Sequence, residues 1–203
     1  MIELVIFLLF VAGIVMDLFN VPLHSVVMLS ALAGLIILNL SRLIRNKPGV
    51  KRTAGWLGIA TVSWLIFFLF EVNFFGGTLI LMAAALFVSV ISMLMTLFEP
   101  GQLPGGRILV LLMALGLAAT TSWMSPHKRF YTYNIRFNKE AMTDYHTLDK
   151  YSWFLYLGQE YDEAIKVSTL ASSVANKSGD TYSVRIIEGH SVAIKARTWE
   201  KYY

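Results

Sequence analysis

Asp17 and Glu71 are the acidic side chains best placed to do chemistry in the apolar half of this chain. A carboxylate inside a hydrocarbon layer is costly, and where one persists it commonly carries protons or ions. Both lie at the ends of apolar runs beside turns, where water reaches them, so an interfacial position is the simpler expectation. Ion coupling by Asp17 or Glu71 is the sharper one. His146 and Asp149 are three apart and share one face of a predicted helix. A metal centre needs a third and a fourth ligand at suitable spacing, and none accompanies them. A solvated helix surface is therefore expected there, with His190 packed inside the third helix of the same region. The chain has no Gly-x-Ser-x-Gly elbow, His-Glu-x-x-His pair, phosphate loop or dinucleotide fingerprint. Gly76-Gly77 and Gly105-Gly106 lack a strand-to-helix setting and read as turns. No catalytic, cofactor-binding or metal-ligating residue is assigned, and an enzyme is not expected.

The elements that would hold these residues follow from composition. The chain has 203 residues, 56% of them hydrophobic, with a mean hydropathy of +0.60. That is too apolar for a soluble domain of this size. Charges are sparse up to His127 and frequent from Lys128 onward, which divides a lipid-solvated half from a water-solvated one. The net charge of +4 is not a nucleic-acid signal. Its excess sits in one short loop, and no basic stripe with interleaved aromatics occurs. With no cysteine, disulfides, thiolate ligands and cysteine nucleophiles are excluded.

A membrane-spanning helix needs about 20 apolar residues. Five segments qualify, at about 2–19, 23–44, 54–70, 74–98 and 108–124, within a transmembrane region 1–126. The first has no basic stretch before it and no clean cleavage site, and reads as a retained helix rather than a signal peptide. Glu3 and Asp17 would sit at its two interfaces. Ala31, Ala33 and Gly34 offer the second a small-residue face for close packing. Arg42, Arg45, Lys47, Lys51 and Arg52 surround Lys47-Pro48-Gly49, and this basic cluster sets the topology by the positive-inside rule. Parity then puts the N-terminus in the cytoplasm and the C-terminal region on the periplasmic side of a bacterial inner membrane. Six Lys/Arg on the inner face, Arg107 included, outweigh the four at the outer end, Lys128, Arg129, Arg136 and Lys139.

The first four segments read as two hairpins duplicated at a spacing of 51 residues. Leu18-Phe19-Asn20-Val21 pairs with Leu69-Phe70-Glu71-Val72, which would set Asn20 and Glu71 at equivalent depths on the outer side. Repeats of this kind pack about a pseudo-axis. The fold class expected is all-α: a polytopic membrane protein with about five transmembrane helices, two duplicated hairpins plus one, and a three-helix C-terminal domain.

Residues 127–138 read as an aromatic, irregular linker, and 139–203 as the soluble domain. Asn138 is the expected N-cap of a helix from Lys139 to Leu157, stopped by Gly158. A second helix runs from Asp162 to Lys177 and ends at Gly179. A third follows Asp180 to about Lys201. In the second, Tyr161-Asp162-Glu163-Ala164-Ile165, with Ala171 seven residues after Ala164, resembles the B helix of a tetratricopeptide repeat. Ala164, Ser168, Ala171 and Ala175 supply the small-residue stripe of that family, while Leu148, Tyr151, Ser152 and Leu155 occupy the A-helix positions. The resemblance covers one repeat and implies a helical hairpin suited to docking, since a solenoid groove needs about three repeats.

The turn with Phe before it and Gly after it, followed by an apolar helix ending in Phe98-Glu99-Pro100, resembles the membrane hairpin of the gliding-motility and type IX secretion motor stators. That family implies proton-driven movement through an acid in its second membrane helix. Here Phe74 to Phe98 contains no Asp or Glu, so only the hairpin type carries over.

The aromatics Tyr131, Tyr133, Tyr151, Trp153, Phe154, Tyr156 and Tyr161 are too many for three short helices to bury, and an exposed apolar face marks a contact surface. Trp153, Tyr156, Tyr161, Ala164 and Ala171 are the expected partner-docking residues. The function expected is a non-enzymatic membrane subunit that scaffolds a larger complex. Its partners would be membrane lipid and other subunits, with no nucleic acid, small-molecule substrate or cofactor. The alternative is an ion-driven motor or transporter component using Asp17 or Glu71.

Overall fold

The computed structural model describes residues 2–19, 21–46, 50–74, 77–98 and 105–199. All regular structure in them is helical. The chain forms two compact units, Met1–Asp17 with Val21–Trp123, and Leu18–Asn20 with Met124–Tyr203.

The first unit contains α1 (Ile2–Leu18), α2 (His24–Arg45), α3 (Val50–Val72), α4 (Thr78–Phe98) and α5 (Gly105–Trp123). Four of these, α2, α3 from Arg52, α4 and α5, are long and apolar enough to cross a membrane. At 17 residues α1 is shorter, about 26 Å at 1.5 Å per residue.

The third helix is the hub. Sixty-seven percent of its spanning window is buried in the unit, against 11% of that of α4. It packs on α2, α4 and α5, and its sequence shows why three neighbours fit. Gly55 and Gly58 let α2 approach on one side. A Cβ on Gly55 would stand 2.9 Å from Leu43 and 3.2 Å from the Asn39 carbonyl oxygen, and one on Gly58 would collide with the Asn39 amide. On another side the Trp64 indole donates to Ser89 Oγ of α4 at 2.9 Å. Phe68 meets Phe10 of α1 edge to face at 6.4 Å. Two buried hydroxyls return to their own helix, Thr61 to the Leu57 carbonyl and Thr96 to that of Ser92. This is the cheapest satisfaction available where water is absent. The side chains that stay exposed on α4, among them Ile80, Phe87, Val90 and Leu97, are those a lipid phase would solvate.

Three helix boundaries differ from the sequence reading. The third helix begins at Val50 instead of 54, so Lys51 and Arg52 are helical, and Arg42 and Arg45 end α2. Arg42, Arg45, Lys51 and Arg52 thus lie in the end turns of helices. Lys47 is outside the described residues. The fourth helix starts at Thr78 because Phe74 (φ 57°) and Gly77 (φ 83°) take left-handed conformations. The fifth begins at Gly105, so Gly105-Gly106 is a helical first turn and Arg107 lies inside the helix.

The two expected hairpin turns are only partly alike. Leu23 and Phe74, 51 positions apart, both have positive φ. In the first, α1 stops at Leu18; in the second, α3 continues through Glu71 to Val72. Asn20 is outside the described residues.

In the second unit, 126–138 is mostly ordered helix rather than irregular linker. It comprises α6 (Pro126–Phe130) and a π-helical turn (Tyr131–Ile135). The Phe130 ring stacks on Tyr151 at 6.1 Å and packs on Phe154 at 5.0 Å. Asn138 caps only a short 3₁₀ turn (Lys139–Thr143), accepting from the Glu140 amide. The α-helix α7 (Tyr145–Leu157) starts six residues later than expected because Asp144 is the better cap, accepting from the His146 amide and the Thr147 hydroxyl. After α8 (Tyr161–Ser178), Gly179 ends the helix at φ 78° as its type requires. The last helix, α9 (Thr181–Ala196), stops five residues short of the expected end, and Trp199 beyond it is buried.

Asp180 ties the start of α9 to the start of α7. Its carboxylate accepts the Ser183 amide (3.0 Å), the Ser183 hydroxyl (2.8 Å) and the Tyr145 hydroxyl (2.8 Å). These bonds, the Ser183 amide foremost, hold its pKa down at about 2, and the bond from the Tyr145 hydroxyl raises that of Tyr145. Because the folded value lies below the unfolded one, the stabilisation is complete above about pH 4 and is lost as pH falls through 2. Asp180→Ala is expected to lower the thermal midpoint of helix loss, followed by circular dichroism at pH 7. The difference from wild type should shrink toward pH 2.

Candidate functional site

The polar centre of the first unit is a cluster at one end of its helices, assembled from α1, α2 and α5. Glu3, in the first turn of α1, is buried. Its Oε2 accepts from Arg42 Nη1 at 3.0 Å. Arg107 Nη1, from the first turn of α5, approaches the same oxygen at 3.2 Å without hydrogen-bond alignment. Arg42 Nη1 also donates to Asn39 Oδ1 at 3.0 Å, and Asn39 Nδ2 donates to the Leu35 carbonyl at 2.8 Å. Asn39 is fully buried against Gly58. Two guanidiniums therefore share one carboxylate, with a neutral amide oxygen as the further acceptor.

The pairing adds to the expected roles of its members: Glu3 is buried in the unit, and Arg42 is its partner. A signal for the pairing existed in the sequence. The inferred topology already placed residues 3, 42 and 107 at the same membrane face, where one buried acid would meet bases.

The acids expected to be sites are elsewhere. Asp17 pairs with His24 Nε2 at 3.1 Å, both side chains about 30% exposed (31% and 28%). His24 Nδ1 meets the Val21 carbonyl, so this ring braces the α1–α2 turn. Glu71 is partly buried in the last turn of α3. The comparison of Glu71 with Asn20 falls outside the described residues.

In the second unit Asp149 is buried, not solvated. Both its oxygens lie within hydrogen-bond distance of His190 Nδ1, at 2.9 and 3.1 Å, a clamp between α7 and α9. The His190 ring stacks on Trp199 at 4.4 Å. The His146 ring packs against that of Tyr145. Among the described residues no group of three or more His, Asp or Glu side chains is placed to hold a metal ion.

The expected docking residues divide in the same way. Ala164 and Ala171 are fully buried and cannot touch a partner. With Ala175 they form the surface on which α8 receives Leu148 and Leu155 of α7 and Ile187 and Ile194 of α9. Trp153 and Tyr156 are half-buried around Trp199, at ring distances of 4.9 and 5.9 Å. Tyr161 is covered by the Arg197 guanidinium at 4.6 Å. The aromatic excess is thus partly spent on a cluster closed by Trp199, each pair adding about 0.5–1.5 kcal/mol beyond area burial.

His127 is a titratable group of the second unit whose surroundings change its proton affinity. It packs against Gly158, where a Cβ would stand 2.5 Å from Nδ1. Its Nε2 lies 3.2 Å from Ser125 Oγ. Burial lowers its pKa, opposed by Glu160 and reinforced by Lys128. The unfolded chain therefore binds the proton more readily, and stability should fall as pH drops below about 6.5. Replacing His127 with glutamine is expected to flatten the melting-temperature profile between pH 7 and 5.

Among the described residues, fold and site define an all-helical protein with four helices able to cross a membrane, a buried ion cluster joining α1, α2 and α5, and a second helical unit. No family model matches the chain, and neither the curated proteins nor the solved structures contain a match to it.

Proposed function

We propose that the chain is a non-enzymatic integral membrane subunit that scaffolds a larger complex through its helical C-terminal unit. The observation that carries this reading is the packing of α8. Its small-residue stripe takes α7 and α9 on adjoining sides, as a tetratricopeptide-like hairpin would. Leu157, Leu170, Tyr182 and Val192 remain exposed on the outside of the closed core. Buried acids in both units are bound to bases of the same unit, Glu3 to Arg42 and Arg107, Asp149 to His190. They serve cohesion in this reading.

The proposed arrangement has five crossings in a bacterial inner membrane, the N-terminus in the cytoplasm and the second unit in the periplasm. Five crossings are supported by the ion cluster. The start of α1, the end of α2 and the start of α5 meet at one end, as parity demands if α1 crosses with the rest. A reporter fused after Tyr203 tests the orientation. Periplasmic activity is expected, and cytoplasmic activity would reverse it.

The scaffold role is tested by crosslinking in native membranes and extraction in mild detergent. The chain should migrate in an assembly larger than itself, with crosslinks from Lys166 or Lys177 to another subunit. A monodisperse monomer without such crosslinks would overturn the reading.

A further inference from the structure

We infer that Arg42 and Arg107 form a binding site for an anionic phosphate group at the end of the first unit. The charge count is the starting point. One carboxylate, Glu3, serves two guanidiniums, and both contact the same oxygen through Nη1. Among the described residues the cluster therefore carries one net positive charge, where Glu3 is only 4% exposed. Asn39 supplies an acceptor oxygen to Arg42 but no charge. An uncompensated cation in a low-dielectric setting draws a second anion.

The donors to receive it are present. A guanidinium presents five N–H groups in a planar fork suited to the oxygens of phosphate. The bonds of Arg42 and the ion contact of Arg107 engage Nη1 alone. Both side chains remain partly exposed, at 17% and 25%. Arg107 stands in the first turn of α5, where the positive end of the helix adds to the attraction. Gly105 and Gly106 of the same turn have open space where a side chain would be, so a phosphate can approach the backbone. Arg45, one turn beyond Arg42, adds positive charge at the same end.

Two sources provide this chemistry. In an inserted protein the site faces the headgroup layer, where an anionic phospholipid has a high local concentration. That source rests on the membrane reading of the first unit. Free phosphate does not, and the two can be separated.

The full chain is purified in neutral detergent, and native mass spectrometry is run with equimolar phosphatidylglycerol and phosphatidylcholine. In parallel, melting is followed in sodium phosphate against sodium chloride at equal ionic strength. Wild type is expected to retain one phosphatidylglycerol with about tenfold preference, equivalent to about 1.4 kcal/mol. Arg107→Gln keeps the Glu3–Arg42 pair and should lose the preference. Arg45→Gln, at an exposed position, should keep most of it. Glu3→Gln should strengthen it. If phosphate raises the wild-type melting temperature and not that of Arg107→Gln, while the lipids bind equally, the site stands and its ligand is soluble. Equal lipid retention with no effect of phosphate would overturn the proposal. So would an Arg107→Gln protein, folded by circular dichroism, that behaves as wild type in both assays.

Discussion

Replacing Glu3 with leucine is expected to destabilise the first unit by about 3–5 kcal/mol, the usual cost of removing one partner from a buried ion pair. The substitution itself adds apolar surface, so the loss comes from what it leaves behind. Arg42 and Arg107 would face one another with Asn39 as the remaining acceptor. Unfolding by a stepwise increase of sodium dodecyl sulfate in mixed micelles, followed by tryptophan fluorescence, measures the change. The triple replacement Glu3→Leu, Arg42→Leu and Arg107→Leu should recover much of the loss, because a buried ionic group exchanged whole for apolar side chains is close to neutral. A single Glu3→Leu protein as stable as wild type would mean that water already solvates the cluster.

Gly58→Leu is the second large effect. A side chain at Gly58 collides with the Asn39 amide at the α2–α3 crossing. Overpacking of this kind costs about 1–3 kcal/mol. Displacing Asn39 from Arg42 and Leu35 leaves a buried amide short of partners, worth about 1–3 kcal/mol more. Gly58→Ala should show a smaller loss in the same assay, and the double substitution Gly58→Ala with Asn39→Ala should not be additive, since the two positions touch. Additivity would separate the glycine from the asparagine.

These predictions rest on contacts that sequence reasoning reached only in part. The apolar runs were legible because a hydrocarbon layer demands length and composition that a linear reading measures directly. Helix punctuation was legible wherever one residue had one job, as with Asp180 and Gly179. It failed where two caps competed, at Asn138 and Asp144, because the choice depends on which turn lets α7 dock. It failed again at Gly105-Gly106, since glycine is tolerated in a first helical turn that a distant carboxylate rewards.

The candidate sites divide along the same line. Asp17 finds its partner, His24, within the same turn, seven positions on in sequence. The pairing of Glu3 was not legible because its partners lie 39 and 104 positions away. Asp149 was misread as solvated because its partner, His190, comes from another helix. The expected docking stripe of Ala164 and Ala171 was recognised as a contact surface, and the structure assigns that contact to α7 and α9 of the same chain.

By itself, then, the sequence determined an all-helical chain, apolar stretches of membrane-spanning character and a charged C-terminal region of short helices. Those properties are set by nearest neighbours and by solvent. Only the tertiary structure decided that α3 is the hub, that Trp199 closes the aromatic cluster, and that one acid near the start of the chain holds two arginines. The physical reason is common to all three. Small residues such as Gly58 and Ala164 say that something approaches closely, and charges such as Glu3 say that something must compensate them, but neither carries the identity of its partner until the helices are packed.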